Sequence, residues 1–369
     1  MQLLKSSHNQ SIVKSNNQLL DILQDMVHKI DIKSNFYIHH ADYKPLELPT
    51  EVVGRFQKMP VEMQQKYLSL QLRSFLYGIY YNGSMQSALA LDGEANGLPL
   101  DLENNTVLGI DMGFYEQLHE SNCGEGYFDP GWVVIREETD GSVAVTKGGL
   151  RLHIQRDKHL QDFEKAAVVG DVVAILLPKN RVQNGFYMAV SNQGFSHGRK
   201  TEHHPVTVRI YFNIIPEGTS LVMKSLTKRL NELDISFSFK VLYNPKDYGR
   251  HDSGVLYFDK IDYVRVREVL QVVYRENKAY FQSEVPLFTM QIAPGLGLAE
   301  EPDTKFAAQE SFGMNRCQIV ANGLLEAWYQ GDNSPENRMQ LILGQFSLLG
   351  IDIERTYLNA NSEDIYIPL

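Results

Sequence analysis

The sequence predicts an α+β protein: a helical N-terminal part, then an α+β part with a mostly antiparallel sheet. Three observations predict it. Apolar residues recur at helical spacing through about residue 105. From Trp132 onward, short β-rich runs are separated by turn residues. Between Pro205 and Asp262, two strands of period two bracket an amphipathic helix. The domain division that follows is 1–125 (helical) and 126–369 (α+β).

Leu19, Leu23, Met26, Val27 and Ile30 share one helical face, as do Leu68, Leu72, Phe75, Leu76 and Ile79. Both stripes are expected to be packing surfaces. A polar, Gly-rich stretch from Asp92 to Asn105 follows, then a helix near Asp111 to His119. Trp132 to Arg136 and Val143 to Val145 flank Thr139-Asp140-Gly141, the pattern of a β-hairpin. Gly149 to Ile154, Val172 to Leu177 and Phe186 to Val190 are further strands, and Gly194 to His204 is a polar loop.

The next segment is the most informative. Val206, Val208, Ile210, Phe212 and Ile214 alternate on one strand face, leaving Thr207, Arg209, Tyr211 and Asn213 on the other. A helix follows with Leu221, Val222, Leu226, Leu230 and Leu233 on one side. Glu217 in its first turn suits the positive end of the helix dipole. In ISFSFKVLY, Ile235, Phe237, Phe239, Val241 and Tyr243 face one way, and Ser236, Ser238 and Lys240 the other. NPKDYGRHDSG is a loop, VLYFD a strand, and Tyr263 to Tyr274 and Gly313 to Tyr329 are helical. QIAPGLGLAEEP, from Gln291 to Pro302, is expected to be a loop. QLILGQFSLLG is expected to be a docked apolar helix.

The chain has 369 residues and 43% hydrophobic content, with a net charge of −10. That composition is globular, and its acidity argues against nucleic acid and anionic membranes as general partners. A local basic pocket is still allowed. No stretch approaches the ~18 apolar residues of a membrane span. The two cysteines, Cys123 and Cys317, point to a reducing compartment, so the protein is expected to be cytoplasmic.

If the first two strands share a sheet, Arg209, Tyr211, Asn213 and Lys240 share its polar face, with Arg250, His251 and Asp252 just beyond. Two arginines, a lysine, a tyrosine and a histidine suit a phosphorylated ligand. Neighbouring cations would depress the Lys240 pKa and make it a candidate base. The competing reading is a solvated outer face on a half-exposed sheet.

RIYFNIIPEG, SFKVLYNPKDYGRHDSGVLY, APGLGLAEEP and SFGMNRC occur in an order that resembles the type III effector HopA family. GFYMAV near Phe186 fits it too. Relatives of that family occur as lyase components of class V lanthipeptide and thioamitide biosynthesis, beside kinase-like proteins. The same stretch is more distantly similar to the phosphothreonine lyase effectors, so residues 126–369 are expected to form a phosphothreonine-lyase-like domain.

The resemblance implies roles. Lys240 in Phe-Lys-Val is the general base, Arg209, Arg250 and Arg316 bind phosphate, and Tyr257 positions the substrate. Tyr211 stands where the lyases carry their acid histidine, which leaves Tyr211 and His251 as alternative acids. The implied reaction is β-elimination of phosphate from phosphoserine or phosphothreonine in a precursor peptide, giving dehydroalanine or dehydrobutyrine. No metal or organic cofactor is required. A separate kinase-like protein would supply the phosphopeptide, since the chain has neither a GxxxxGK[ST] loop nor a kinase Gly-rich loop. The rival reading is a non-catalytic phosphopeptide- or protein-binding protein that uses the same basic pocket.

Other signals are blander. GLGLAEEP lacks the dinucleotide GxGxxG spacing. Glu300 and Glu301 are expected to brace an arginine. His39-His40 and His203-His204 lack further ligands at useful spacing. Cys317 is expected to be a buried structural thiol. Lys147, Arg151 and His153 are assigned to a solvated strand face.

Overall fold

A computed structural model describes residues 18–91, 106, 107, 109–195 and 206–369. The Asp92 to Asn105 stretch, most of the Gly194 to His204 loop and the His203-His204 pair lie outside these.

Helix α1 spans 18–29 and runs into β1 (Ile30–Ser34), β2 (Tyr37–His40) and β3 (Leu46–Glu47), a three-stranded antiparallel sheet. The N-terminal part, expected to be mostly helical, also carries these three short strands. Ile30 fits the α1 stripe, but Ile30, Ile32 and Ile38 also bury one face of a hairpin, and pairing decides. Helices α2 (Thr50–Phe56) and α3 (Val61–Leu76) follow. A π-turn, Tyr77–Tyr81, and the short α4 (Gln86–Leu89) come next. Beyond β4 (Thr106–Val107), β5 (Ile110–Asp111) and α5 (Met112–Ser121) the chain becomes strand-rich.

Strands β6 (Tyr127–Glu137), β7 (Val143–Lys147), β8 (Leu150–Ile154) and β9 (Val172–Leu177) form a four-stranded antiparallel sheet in the order 8-7-6-9, with α6 (Arg156–His159) beside it. It has its own core around Trp132, Val143, Val145 and Val173. Strands β10 (Asn180–Gln183), β11 (Phe186–Val190), β12 (Thr207–Phe212), β13 (Phe237–Leu242), β14 (Gly254–Asp259), β15 (Met290–Ala293) and β16 (Leu296–Glu300) form the main sheet. Its order is 10-11-13-14-12-16-15 and every pairing is antiparallel. This is the α+β class the sequence predicts. The main core runs from Leu19 through the sheet to Tyr366.

Helices α7 (Pro216–Glu232) and α8 (Tyr263–Asn277) pair with one another and bury Val222, Leu226, Leu230, Val266 and Leu270 in the main core. Pro216 opens α7 at its first turn, where its missing N–H costs nothing. Leu221 and Leu233, expected on the buried side, are exposed. Helices α9 (Phe312–Gln330) and α10 (Pro335–Leu348) pair together, and α9 also lies against α3 and the π-turn. No helix among the described residues is long and apolar enough to cross a membrane.

Two expectations change here. The Gln291 to Pro302 stretch is the β15–β16 hairpin, and β16 lies beside β12 in the sheet. Gly295 turns the hairpin at φ 74°, and a Cβ at Gly297 would meet Thr289 Oγ1 at 2.6 Å. These glycines, which suggest a loop by composition, are what let the strand fit. The solvated-face reading also fails for β12: Arg209 is 7% exposed and Tyr211 2%, because the π-turn and α9 cover them.

Candidate functional site

The register of the main sheet aligns the candidate side chains. Arg209 on β12 is paired with Tyr257 on β14, which is paired with Ser238 on β13. One row along, Tyr211 pairs with Val255 and Val255 with Lys240. Directly paired antiparallel residues point to one face. Arg209, Tyr211, Tyr257 and Lys240 are therefore together, as the strand alternation predicts.

Tyr257 joins the two cations. The Arg209 guanidinium carbon lies 5.0 Å from its ring centre and Lys240 Nζ 5.6 Å. Lys240 Nζ also stands 4.5 Å from the Phe186 ring. All three distances fit cation–π contact. Lys240 is half-buried and has no carboxylate or hydrogen-bond partner among the described residues.

Arg209 is held by Glu301, which follows β16. Its Nε and Nη2 both donate to Glu301 Oε2, and Lys305 Nζ takes Oε1 at 2.5 Å. One glutamate of the pair thus braces an arginine as expected. Glu300 instead accepts from Lys260 at 2.8 Å. Arg209 Nη1 makes a long contact, 3.5 Å, to the Tyr211 hydroxyl. Burial pushes the Tyr211 phenol up to about 12, so it carries its proton at any ordinary pH.

Arg250 and His251 sit in the loop before β14. Arg250 donates to Asp252 from Nε (2.5 Å) and Nη2 (2.9 Å). The buried Asp252 also accepts from Tyr77 Oη at 3.1 Å and Asn82 Nδ2 at 3.2 Å. His251 N donates to Asn82 O at 2.9 Å. Burial holds the His251 imidazole below its usual range, and its Nδ1 has no partner among the described residues. A neutral imidazole of lowered pKa is a weak proton donor at pH 7, which favours Tyr211 over His251 as the donor.

The π-turn connects the two clusters. Tyr77 stacks on Tyr81 at 4.8 Å, and Tyr81 meets Tyr211 edge-on at 6.3 Å. The contacts thus run from Arg250 and Asp252 through Tyr77 and Tyr81 to Tyr211, Arg209, Tyr257 and Lys240. Tyr77, Tyr81, Asn82 and Asp252 carry no role in the sequence reading. The visible signal was YGIYYN, three tyrosines in five residues beside a stripe already assigned to packing.

Arg316, expected on the phosphate, lies behind Phe312 from Tyr211, close enough to interact with it electrostatically, and its hydrogen bonds go elsewhere. It is 1% exposed and donates to Thr356 O (2.8 Å), Leu358 O (2.9 Å) and Asn315 Oδ1 (2.6 Å). Its guanidinium lies over Phe312, and burial lowers its pKa to about 10. It ties α9 to the C-terminal segment. Cys317 is buried and its thiol is pushed well up by that burial, as fits a structural residue. No group of three or more His, Cys, Asp or Glu among the described residues is placed to hold a metal. His40 is engaged by Tyr80 Oη at 2.7 Å and Asp42 N at 3.0 Å. Lys147 pairs with Asp129, and Arg151 and His153 are exposed on β8, away from the array.

The HopA1 effector protein family model matches residues 177–358, the span that holds the main sheet and every candidate residue but those of the π-turn. Over that span the chain is similar to the HopA1 effector family. Two solved structures also align, effector proteins from Pseudomonas syringae pv. tomato strain DC3000 and pv. syringae strain 61. Their identities are 15% and 16%, their TM-scores 0.41 and 0.40, and each alignment covers 68% of this chain and 81% of theirs. No curated protein matches the chain. The segment before residue 177 adds the π-turn to the matched region.

Proposed function

We propose that this HopA1-like protein is a phosphoserine/phosphothreonine lyase. It eliminates phosphate from a phosphorylated precursor peptide and leaves dehydroalanine or dehydrobutyrine. The observation that carries the reading is Lys240. It is a half-buried amine without an acidic partner among the described residues, and it shares the Tyr257 ring with Arg209.

In the proposed step the unprotonated Lys240 amine takes the α-proton. The Cα–H electron pair becomes the Cα–Cβ double bond, and the Cβ–O bond breaks with its pair going to phosphate. Arg209 and Arg250 stabilise the charge that builds on the leaving oxygens. Tyr211 donates a hydrogen bond to them, and Tyr257 positions both cations. Arg316 acts only by holding the Thr356 and Leu358 backbone. The reaction needs no metal or organic cofactor, and a separate kinase-like protein would make the substrate.

The test incubates the full chain with phosphopeptide and follows loss of phosphoric acid by mass spectrometry. Lys240→Ala is expected to lower the rate at least ~10²-fold, the scale of a lost general base. Equal rates for wild type and variant would refute the assignment. A second reading, stoichiometric phosphopeptide or protein binding in the manner of an effector, is favoured by one observation. Both Arg209 and Arg250 are already engaged by carboxylates. Binding without any turnover would select it.

A further inference from the structure

Of the three tyrosines in YGIYYN, two have hydroxyl partners. Tyr77 Oη donates to Asp252, and Tyr80 Oη to Asp25. Tyr81 Oη makes no hydrogen bond of ordinary geometry, although the residue is only 1% exposed; its polar neighbour is the Tyr211 hydroxyl. An orphaned buried hydroxyl is destabilising. Packing does not require it. The ring alone makes the contacts to Tyr77, to Tyr211, and to Phe312 at 6.5 Å. Phenylalanine would fill the same space without the penalty.

The backbone there is also unusual. Asn82 N bonds to Tyr77 O, five residues back, at 3.1 Å. This widened turn places Tyr77 and Tyr81 in a stack, and Gly313 on α9 makes room for both rings. Single π-turns recur at functional sites. Two unfavourable features thus coincide at one residue.

The surroundings of Tyr81 Oη contain donors that no carboxylate takes up. Tyr211 Oη receives the long Arg209 Nη1 contact and stands beside the Tyr81 hydroxyl. Arg209 spends Nε and Nη2 on Glu301, which leaves Nη1. The nearby carboxylates are occupied: Glu301 by Arg209 and Lys305, Asp252 by Arg250, Tyr77 and Asn82. The acceptors these donors offer one another are hydroxyls rather than carboxylates, so they suit a ligand made of acceptors, and a phosphate group presents three or four oxygens.

We infer that Tyr81, from the N-terminal part of the chain, is a phosphate-binding residue whose hydroxyl donates to the anion beside Tyr211 and Arg209 Nη1. Tyr257 and Lys240, on the same sheet face as Arg209 and Tyr211, are half-exposed. This deepens the lyase reading, since it names what receives the leaving group. The anion site itself needs no turnover.

The experiment compares wild type with Tyr81→Phe in the full chain. Thermal unfolding is measured without ligand and across a titration with inorganic phosphate, and phosphopeptide turnover is measured in parallel. Tyr81→Phe is expected to unfold at the same temperature as wild type or higher without phosphate, and to bind phosphate about 10- to 100-fold more weakly. Equal phosphate affinity in both proteins, or no phosphate binding by wild type, overturns the inference. A lower unfolding temperature in Tyr81→Phe without phosphate also overturns it, because the hydroxyl would then have an internal role. Tyr81-dependent phosphate binding without turnover supports the anion site and sinks the lyase reading. Turnover with equal affinities does the reverse.

Discussion

Two glycine-to-alanine substitutions, both inside helices, should change stability in opposite directions. A Cβ on Gly313 of α9 would lie 2.3 Å from Tyr81 Cε1, 2.4 Å from Tyr81 Cζ and 2.8 Å from Tyr77 Cε2. Carbon atoms in contact normally sit ~3.5–4.0 Å apart, so the overlap with Tyr81 exceeds 1 Å or so. Tyr81 cannot swing clear, because Tyr77, Tyr211 and Phe312 surround it. Overpacking of this kind costs about 1–3 kcal/mol, while the helix preference of alanine over glycine returns at most ~1 kcal/mol. Gly313→Ala should therefore lose about 1–2 kcal/mol. Gly54 of α2 is exposed, and a Cβ there meets nothing within 4 Å. Gly54→Ala should gain up to ~1 kcal/mol. Urea unfolding of both variants, followed by far-UV circular dichroism and read as shifts in midpoint, makes the comparison. Shifts of the same sign, or a Gly313→Ala loss below about 0.5 kcal/mol, would refute the packing argument.

Arg316→Met should destabilise the chain by a few kcal/mol, because Thr356 O, Leu358 O and Asn315 Oδ1 each lose a donor worth roughly 1–3 kcal/mol, while removing a buried charge returns part of that. Limited proteolysis should cut the segment after residue 355 earlier in the variant; unchanged stability with weakened phosphopeptide binding would put Arg316 back on the phosphate. A pH effect follows from His40 and His251, both held by burial below the ordinary value of 6.5. The unfolded chain takes up protons at these sites first, so their contribution to stability is complete above about pH 6.5 and is lost as pH falls below it. Unfolding temperatures measured down to about pH 5 should decline, and His251→Gln should flatten part of that decline; a slope unchanged in the variant would exclude His251 as a source.

The strands of the site were legible because alternation has one meaning when a sheet is buried. Val208, Ile210 and Phe212 against Arg209 and Tyr211 left no other face assignment. The Lys240 strand was equally clear. The β15–β16 hairpin was not, since Gly295 and Gly297 resemble loop punctuation until the positive φ of one and the close Thr289 contact of the other are seen. β1 and β2 were hidden because Ile30 continues a helical stripe by one residue. Arg316 misled for a different reason. A sequence shows that a guanidinium exists but not which carbonyls it meets, and its acceptors lie 40 and 42 residues away. Tyr81 escaped because a stripe of apolar and aromatic residues on a helix fits plain packing, and the one atom that departs from it is a hydroxyl with no hydrogen bond of ordinary geometry.

Asp252 sets an order of assembly. Its partners Tyr77 and Asn82 are 175 and 170 residues away in the chain, while Arg250 is two away. During synthesis the π-turn leaves the ribosome well before residue 252 is made. Until then Tyr77 has no carboxylate to meet, and afterwards the loop of Arg250 and His251 lacks its anchors unless the N-terminal part has docked. Contacts of such span close slowly. The candidate site should therefore be among the last features to form, and a chain with its sheet complete but this loop undocked would be folded by most measures and still inert.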